Sequence, residues 1–322
     1  MERALEPSLL AQSRESGRSF GAAFVVMVVL FAILPFVVYP VFLMKALCFA
    51  LFACAFNLLI GYVGLASFGH ALFFGWASYV TAYAAKAWGW PPELAIASGT
   101  AVAALLGFVA GGLAIRRQGI YFAMITLALA QMMYFFALQA KFTGGEDGIQ
   151  GVPRGRLFGV FDLSHEWTMY VFVLVVFVAG FLFIYRIINS PFGEVLKAIR
   201  ENELRTISLG YKTERYKLVA FVLSATIAGL AGAMNSLVFQ LASLTDVHWT
   251  MSGDVLLMTL LGGLGTVFGP VVGAFIVIAM QNYLAPFGQW VLVIQGGIFV
   301  VCVLLFRRGV VGELARLARI QL

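Results

Sequence analysis

The sequence predicts an all-α integral membrane protein of about ten transmembrane or re-entrant helices, with both termini cytoplasmic. Three observations predict it. Of the 322 residues, 62% are hydrophobic and 11% charged, whereas a soluble domain is roughly half apolar and a quarter charged. Apolar runs of about 20 residues recur along the chain, each long enough to cross a hydrocarbon core about 30 Å thick. The basic residues avoid those runs and collect in alternate connections, which is the positive-inside pattern. The bilayer is therefore the expected solvent, and the net charge of +6 speaks to orientation rather than to nucleic acid.

Taken in order, residues 1–19 form an N-terminal tail. The first run, 20–39, is longer than a signal-peptide core and lacks a small-residue cleavage site, so it is expected to be retained. Run 41–60 carries Cys48 and Cys54; with Cys302 they lie inside apolar sequence and make neither a disulfide framework nor a CxxC metal pattern. Run 63–85 holds several glycines and run 250–263 is short, so either is a candidate for a broken or re-entrant helix. Runs 93–115 and 119–140 lead to a long external loop, 141–167. Run 168–185 leads to a long cytoplasmic connection, 186–215. Runs 216–241, 266–286 and 289–306 complete a transmembrane domain of 20–306, and a basic tail, 307–322, follows.

Orientation comes from the 21 Lys and Arg. Lys45, Lys86, Lys141, Arg154 and Arg156 fall on one side, and all the others, including those of both tails, on the opposite side. The richer side is cytoplasmic. Trp88, Trp90, Trp167, Trp249 and Trp290 then sit at external span ends, as an aromatic belt requires.

Chemistry-bearing motifs are scarce. There is no GxxxxGK[ST], HExxH or GxSxG string, and three scattered histidines do not make the acid–base cluster that a membrane enzyme wants. No catalytic residue, metal site or cofactor is expected. GGLGTVFG near Gly262 lacks both the GxGxxG spacing and the βαβ setting of a dinucleotide site. Gly265, Gly269 and Gly273 instead fall four apart on one helix face, where they admit a close neighbour. Ala103, Gly107 and Gly111, and Ala225, Gly229 and Ala233, repeat the pattern; such seams suit either sliding or static packing. No acidic residue is expected mid-span, so a carboxylate relay for protons or sodium lacks its parts. His70, flanked by Ser67 and Gly69, is a candidate for a translocation path or for a hydrogen bond to a neighbouring helix. Asn57 and Gln131 are further polar candidates for that path. TGGEDG, residues 143–148, offers too few oxygens for a Ca²⁺ loop and reads as a tight turn or an external docking contact.

The cytoplasmic connection is the most informative segment. Ser190 before Pro191 is an N-cap and first-turn signal. Val195, Leu196 and Ile199 make a small apolar face, Lys197 with Glu201 and Glu201 with Arg205 are spaced for i, i+4 pairs, and Gly210 suits a C-cap. Amphipathicity alone leaves an interfacial connector and a docking helix equally open. The string SPFGEVLKAIRENELRTISLGYKTERYKLVAFVLSATIAGLAGAM resembles the loop and following helix of permeases of branched-chain amino-acid ABC importers, the LivM type. NLLIGYVGLASFGHALFFGWASYVTAY from Asn57, TGGEDGI from Thr143 and LLGGLGTVFGPVVGA from Leu260 resemble that family's other recurrent blocks, in the same order.

The resemblance implies that residues 190–210 are the coupling segment that docks on an ATPase, with Glu194, Lys197, Ala198, Arg200, Glu201 and Asn202 in it and Gly210 ending it. It also implies a homologous second permease in a heterodimer, two cytoplasmic ABC ATPase subunits and a periplasmic solute-binding protein, all at a bacterial inner membrane. The implied cargo is a branched-chain or related amino acid. A urea or small-amide importer is the alternative, and a self-sufficient secondary carrier is a further one that would want coupling ions and an inverted repeat.

Overall fold

The computed structural model describes residues 6–288, 290–305 and 309–318, so Arg3, Arg307, Arg308 and Arg319 of the basic tails lie outside the described residues. Every apolar run contains a helix: α1 (Glu6–Ile33), α2 (Pro40–Tyr62), α3 (His70–Lys86), α4 (Pro92–Ala114), α5 (Ile120–Gln139) and α6 (Glu166–Ile188). The polar connection forms α7 (Pro191–Glu201) and α8 (Glu203–Ser208). Then come α9 (Thr213–Phe239), α10 (Leu244–Val247), α11 (Trp249–Gly262), α12 (Gly269–Leu284), α13 (Trp290–Leu305) and α14 (Gly309–Ala318). Among the described residues, α2, α4, α5, α6 and α9 are long and apolar enough to cross a membrane, while Phe20–Phe36, Gly269–Leu284 and Val293–Cys302 are apolar but shorter. α1 begins inside the segment expected to be a tail, and α14 lies inside the other.

Burial follows composition. α2 is apolar on every side, and 89% of its apolar window is buried, as expected of a helix with no face to give to solvent or lipid. α9, α6, α12 and α11 surround it, and Phe74 of α3 packs against its Phe49 and Phe52 rings. α4 is two-faced: Ala103, Gly107 and Gly111 are buried, while Leu105, Phe108 and Leu113 are exposed. In water such a face would be costly; in hydrocarbon it is the ordinary lipid-facing side.

Two of the expected interruptions are present. α3 starts only at His70, because residues 63–69 are irregular and Gly64 has a φ of +82°. α11 has 14 residues, too few for a full crossing. Of the three glycines expected to share one helix face, Gly265 instead lies in the α11–α12 loop, with Gly269 opening α12 and Gly273 one turn inside it. The expectation failed because glycines four apart are compatible with a turn as well as with a helix.

The contacts define two ends. At one, β1 (Ile149–Gln150) pairs antiparallel with a strand at 241–242, Ile149 opposite Ala242, while β2 (Arg156–Leu157) and β3 (Phe161–Asp162) form a small hairpin. Arg154 donates to the carbonyls of Leu237 (3.2 Å) and Val238 (2.8 Å), satisfying the last turn of α9. Lys86 donates to the Gln150 carbonyl at 2.6 Å. Trp88, Trp90, Trp167, Trp249 and Trp290 are all exposed, at helix ends on this side. At the opposite end, Gln118 donates to Glu203 at 2.8 Å, Phe20 stacks on Tyr185 with ring centroids 3.6 Å apart, and Gly309 lies against the backbone of Gly263. The described parts of both chain ends therefore share an end with α7 and α8.

Candidate functional site

The segment joining α6 to α9 is built by two side-chain caps. The Ser190 hydroxyl donates to the Ile187 carbonyl (2.6 Å) and accepts from the Gly193 amide (3.3 Å), closing α6 and opening α7 at once. Gly193 rests on the carbonyls of Ile187 and Ile188, where any β-carbon would collide, so the turn is short and sharp. Leu196 and Ile199 are buried as the apolar face predicted. The continuous helix stops at Asn202, whose backbone is extended (φ −157°) and whose side chain accepts from the Arg205 amide at 3.0 Å to cap α8. This break corrects the expected pairings. Lys197 pairs with Glu194 three residues earlier, at 2.7 Å, and Glu201 and Arg205 fall on different helices. Gly210, at φ +90°, donates to the Ile207 carbonyl at 2.8 Å and so closes α8 rather than one long helix.

The predicted coupling residues divide between two surfaces. Glu194 and Lys197 face outward, with side chains 67% and 38% exposed, and Glu201 and Asn202 are also exposed, with Ala198 half-buried. Arg200 is exposed as well, but it reaches back toward the membrane helices: its guanidinium donates to the Gly61 carbonyl at the end of α2 and lies against Gly265, and its aliphatic stem lies against Gly64. Asn57, one turn earlier on α2, donates to the Thr266 carbonyl (2.9 Å) and accepts from the Gly265 amide (3.0 Å). Arg200 and Asn57 together tie α7, α2 and the α11–α12 loop into one junction. A second tie was not anticipated: Glu203 accepts from Lys217 (2.5 Å), Thr213 (3.0 Å) and Gln118 (2.8 Å), joining α8, α9 and the turn before α5.

The residues proposed for a path are not brought together around one opening. His70 is fully buried. Its Nε2 lies 2.8 Å from Ser224 Oγ, and Ser224 itself donates to the Ala55 carbonyl at 2.6 Å. The serine proton is thus committed, so His70 carries its own on Nε2 and bridges α3 to α9 and α2, edge-on to Phe56 and Phe73. Ser67 accepts from the Gly69 amide at 3.2 Å, and Gln131 is half-buried on α5. Asn57 serves the junction instead.

An open chamber lies elsewhere, at the end opposite the coupling segment. Its volume is about 300 Å³, and its wall includes Lys45 of α2, Asn235 of α9, Asp246 of α10, Asp254 of α11 and Gln281 of α12. Asp254, within an apolar helix, corrects the expectation that no carboxylate lies mid-span. It lies inside run 250–263, where α12 packs beside it and Gln281 of α12 donates to it at 3.2 Å. Burial pushes the Asp246 carboxyl up to about 6, against the opposing pull of the Ser243 amide and of Lys45. The TGGEDG segment is a turn: Thr143 donates to the carbonyls of Ala137 and Ala140, both at 2.6 Å, and Gly148 abuts the Ala242 carbonyl. Glu146 and Asp147 remain exposed.

A family model for the branched-chain amino acid transport system permease component matches residues 38–303. The high-affinity branched-chain amino acid transport system permease proteins LivM of Escherichia coli (strain K12) and Salmonella typhimurium are each 26% identical over 268 residues, covering 76% of this chain and 63% of the relative. A probable branched-chain amino acid transport permease protein LivM of Methanocaldococcus jannaschii is 31% identical over 183 residues, covering 53% of this chain and 51% of the relative. The chain thus spans less than two thirds of the length of these relatives. No solved structure matches. With the family match running from the start of α2 almost to the end of α13, this chain belongs to the branched-chain amino acid transport system permease component family.

Proposed function

We propose that this chain is the membrane-spanning permease of a bacterial ABC importer, carrying branched-chain or related amino acids across the inner membrane with ATP hydrolysed by separate subunits. One observation carries the reading beyond family membership: the doubly capped α7–α8 segment projects charged side chains outward while Arg200 anchors it to α2 and the α11–α12 loop. A push on such a segment reaches the membrane helices through a short, stiff connection rather than through a floppy linker. In this reading about ten helices span or enter the bilayer, both termini are cytoplasmic, α7 docks on one of two ATPase subunits, and a homologous second permease completes the pathway. A solute-binding protein delivers cargo at the face that carries Glu146 and Asp147.

The test is reconstitution of the full complex in liposomes. ATP-driven uptake of radiolabelled L-leucine that requires all subunits supports the proposal; uptake of urea but not of any amino acid sinks the cargo assignment. Asp254 gives a specific reason to examine the self-sufficient carrier too, since a buried carboxylate in a membrane helix is what such carriers use. Uptake by the chain alone under a proton or sodium gradient would establish that reading in place of the first.

A further inference from the structure

Fixed charges of both signs surround the chamber between α2, α9, α10, α11 and α12. Lys45 points into it from α2, and Asp246 and Asp254 point into it from α10 and α11. The ion pairs among the described residues are Lys197–Glu194 and Lys217–Glu203, so Lys45 closes on neither carboxylate. Its ammonium instead lies 5.9 Å from the centre of the Phe49 ring and 6.0 Å from that of Phe239. Asp254 accepts from Gln281 at 3.2 Å, which holds it in place without neutralising it. Asn235, 4% exposed, presents a carbonyl oxygen with no hydrogen-bond partner.

Such an arrangement is expensive unless something compensates it. Charges removed from bulk water lose solvation, and a buried acceptor left unsatisfied loses the hydrogen bond that water would give it. Direct pairing of Lys45 with either acid would offset the cost, yet the chamber keeps them apart. A neutral amide could bond Asn235 and Gln281 but would leave the separated charges uncompensated. A molecule with an anionic and a cationic group a few ångströms apart meets both kinds of wall together.

We propose that this chamber is an entry site for a zwitterionic α-amino acid, with Lys45 holding the carboxylate and Asp246, Asp254 and the Asn235 carbonyl holding the ammonium. The apolar side chain of the ligand then lies against Phe49, Phe239 and Met251, which also line the space. A volume of about 300 Å³ is at the lower bound for small-molecule sites and suits one amino acid rather than a peptide. The inference rests on the transport function proposed above and assigns recognition of that cargo's two charged groups to named residues.

The test uses Thr245, an exposed residue of the chamber rim. In full-length protein in membranes carrying Thr245→Cys and Cys302→Ala, a membrane-impermeant maleimide labels the rim, and the labelling rate is followed with added L-leucine, isovalerate, isoamylamine or urea. L-leucine at ten times its dissociation constant should slow labelling about tenfold by simple occupancy. The single-charge analogues and urea should have no effect at the same concentration, and Lys45→Gln or Asp254→Asn should each abolish protection. No protection by L-leucine up to 50 mM (on the order of the weakest useful affinity), equal protection by urea, or protection that survives both substitutions would overturn the site. Leucine uptake by the reconstituted complex keeps the two readings apart. Uptake without protection removes the chamber and leaves the importer; protection without uptake of any amino acid removes the importer and leaves the chamber.

Discussion

Arg200 shows how one side chain can change the meaning of a surface. Its position on an amphipathic helix suggests solvent, yet it reaches the Gly61 carbonyl and so sits between the coupling segment and the membrane helices. Arg200→Ala should lower ATP-driven uptake by the reconstituted complex at least tenfold, about 1.4 kcal/mol of lost coupling, while co-purification with the ATPase subunits stays intact; wild-type uptake in that variant would remove Arg200 from the coupling route. Glu203 is a different case, because its partner Lys217 has a side chain only 4% exposed. Removing the carboxylate strands a buried ammonium, so Glu203→Ala should destabilise the protein by roughly 3 kcal/mol, read as a lower midpoint of thermal aggregation in detergent. Asp246 supplies a pH signature. With its carboxyl pushed up to about 6 by burial and an unfolded value near 4, it favours the folded state most below about pH 4, and that contribution is lost as pH rises through 6. Its charge, facing Lys45, Asp254 and Tyr79, appears over the same rise. Rim protection by L-leucine should therefore weaken as pH falls from 7 to 5, and Asp246→Asn should flatten that dependence.

Elements came out close to expectation where apolar length and caps dictate them. Ser190 before Pro191 starts α7 because the hydroxyl satisfies an orphan amide and the proline ring presets the first turn. Asn202 carries a weaker signal: an asparagine within an otherwise helical string is a poor helix former, and its extended backbone is what opens α8. The small-residue stripes of α4 and α9 do meet, with Gly107 against Ala225 and Gly229 against Ala103. Their spacing was legible; their pairing was not, because any two such stripes are complementary. Gly107→Leu should force these helices apart and cost about 1–3 kcal/mol by overpacking, measured as a lower detergent unfolding midpoint. Gly112→Leu, on the same helix but with nothing near its missing β-carbon, should leave the midpoint unchanged. Equal loss in both variants would mean that the helix, not the seam, is sensitive to bulk.

At the scale of the whole molecule, the two ends have different chemistry. One carries the exposed tryptophans, the 141–165 loop and the charged chamber; the other gathers α7, α8, the Arg200 junction and both described chain ends. Cysteines at Glu146 and Leu204, both exposed, should label from opposite sides of intact cells with an impermeant reagent, Leu204 only after permeabilisation; labelling of both from outside would reverse or break the topology. The sequence by itself determined the solvent, the helical class, the approximate run boundaries and the side on which basic residues gather. Those are properties of composition and one-dimensional periodicity, and the bilayer leaves few alternatives to a helix once a run is apolar. Tertiary structure alone decided that Gly265 turns rather than packs, that Arg200 reaches back to the Gly61 carbonyl, that His70 locks three helices together, and that Lys45, Asp246 and Asp254 share one chamber. Each of these depends on which distant segments meet, and neither hydropathy nor spacing records a contact between residues such as Arg200 and Gly61, 139 positions apart, or Asn57 and Thr266, 209 apart.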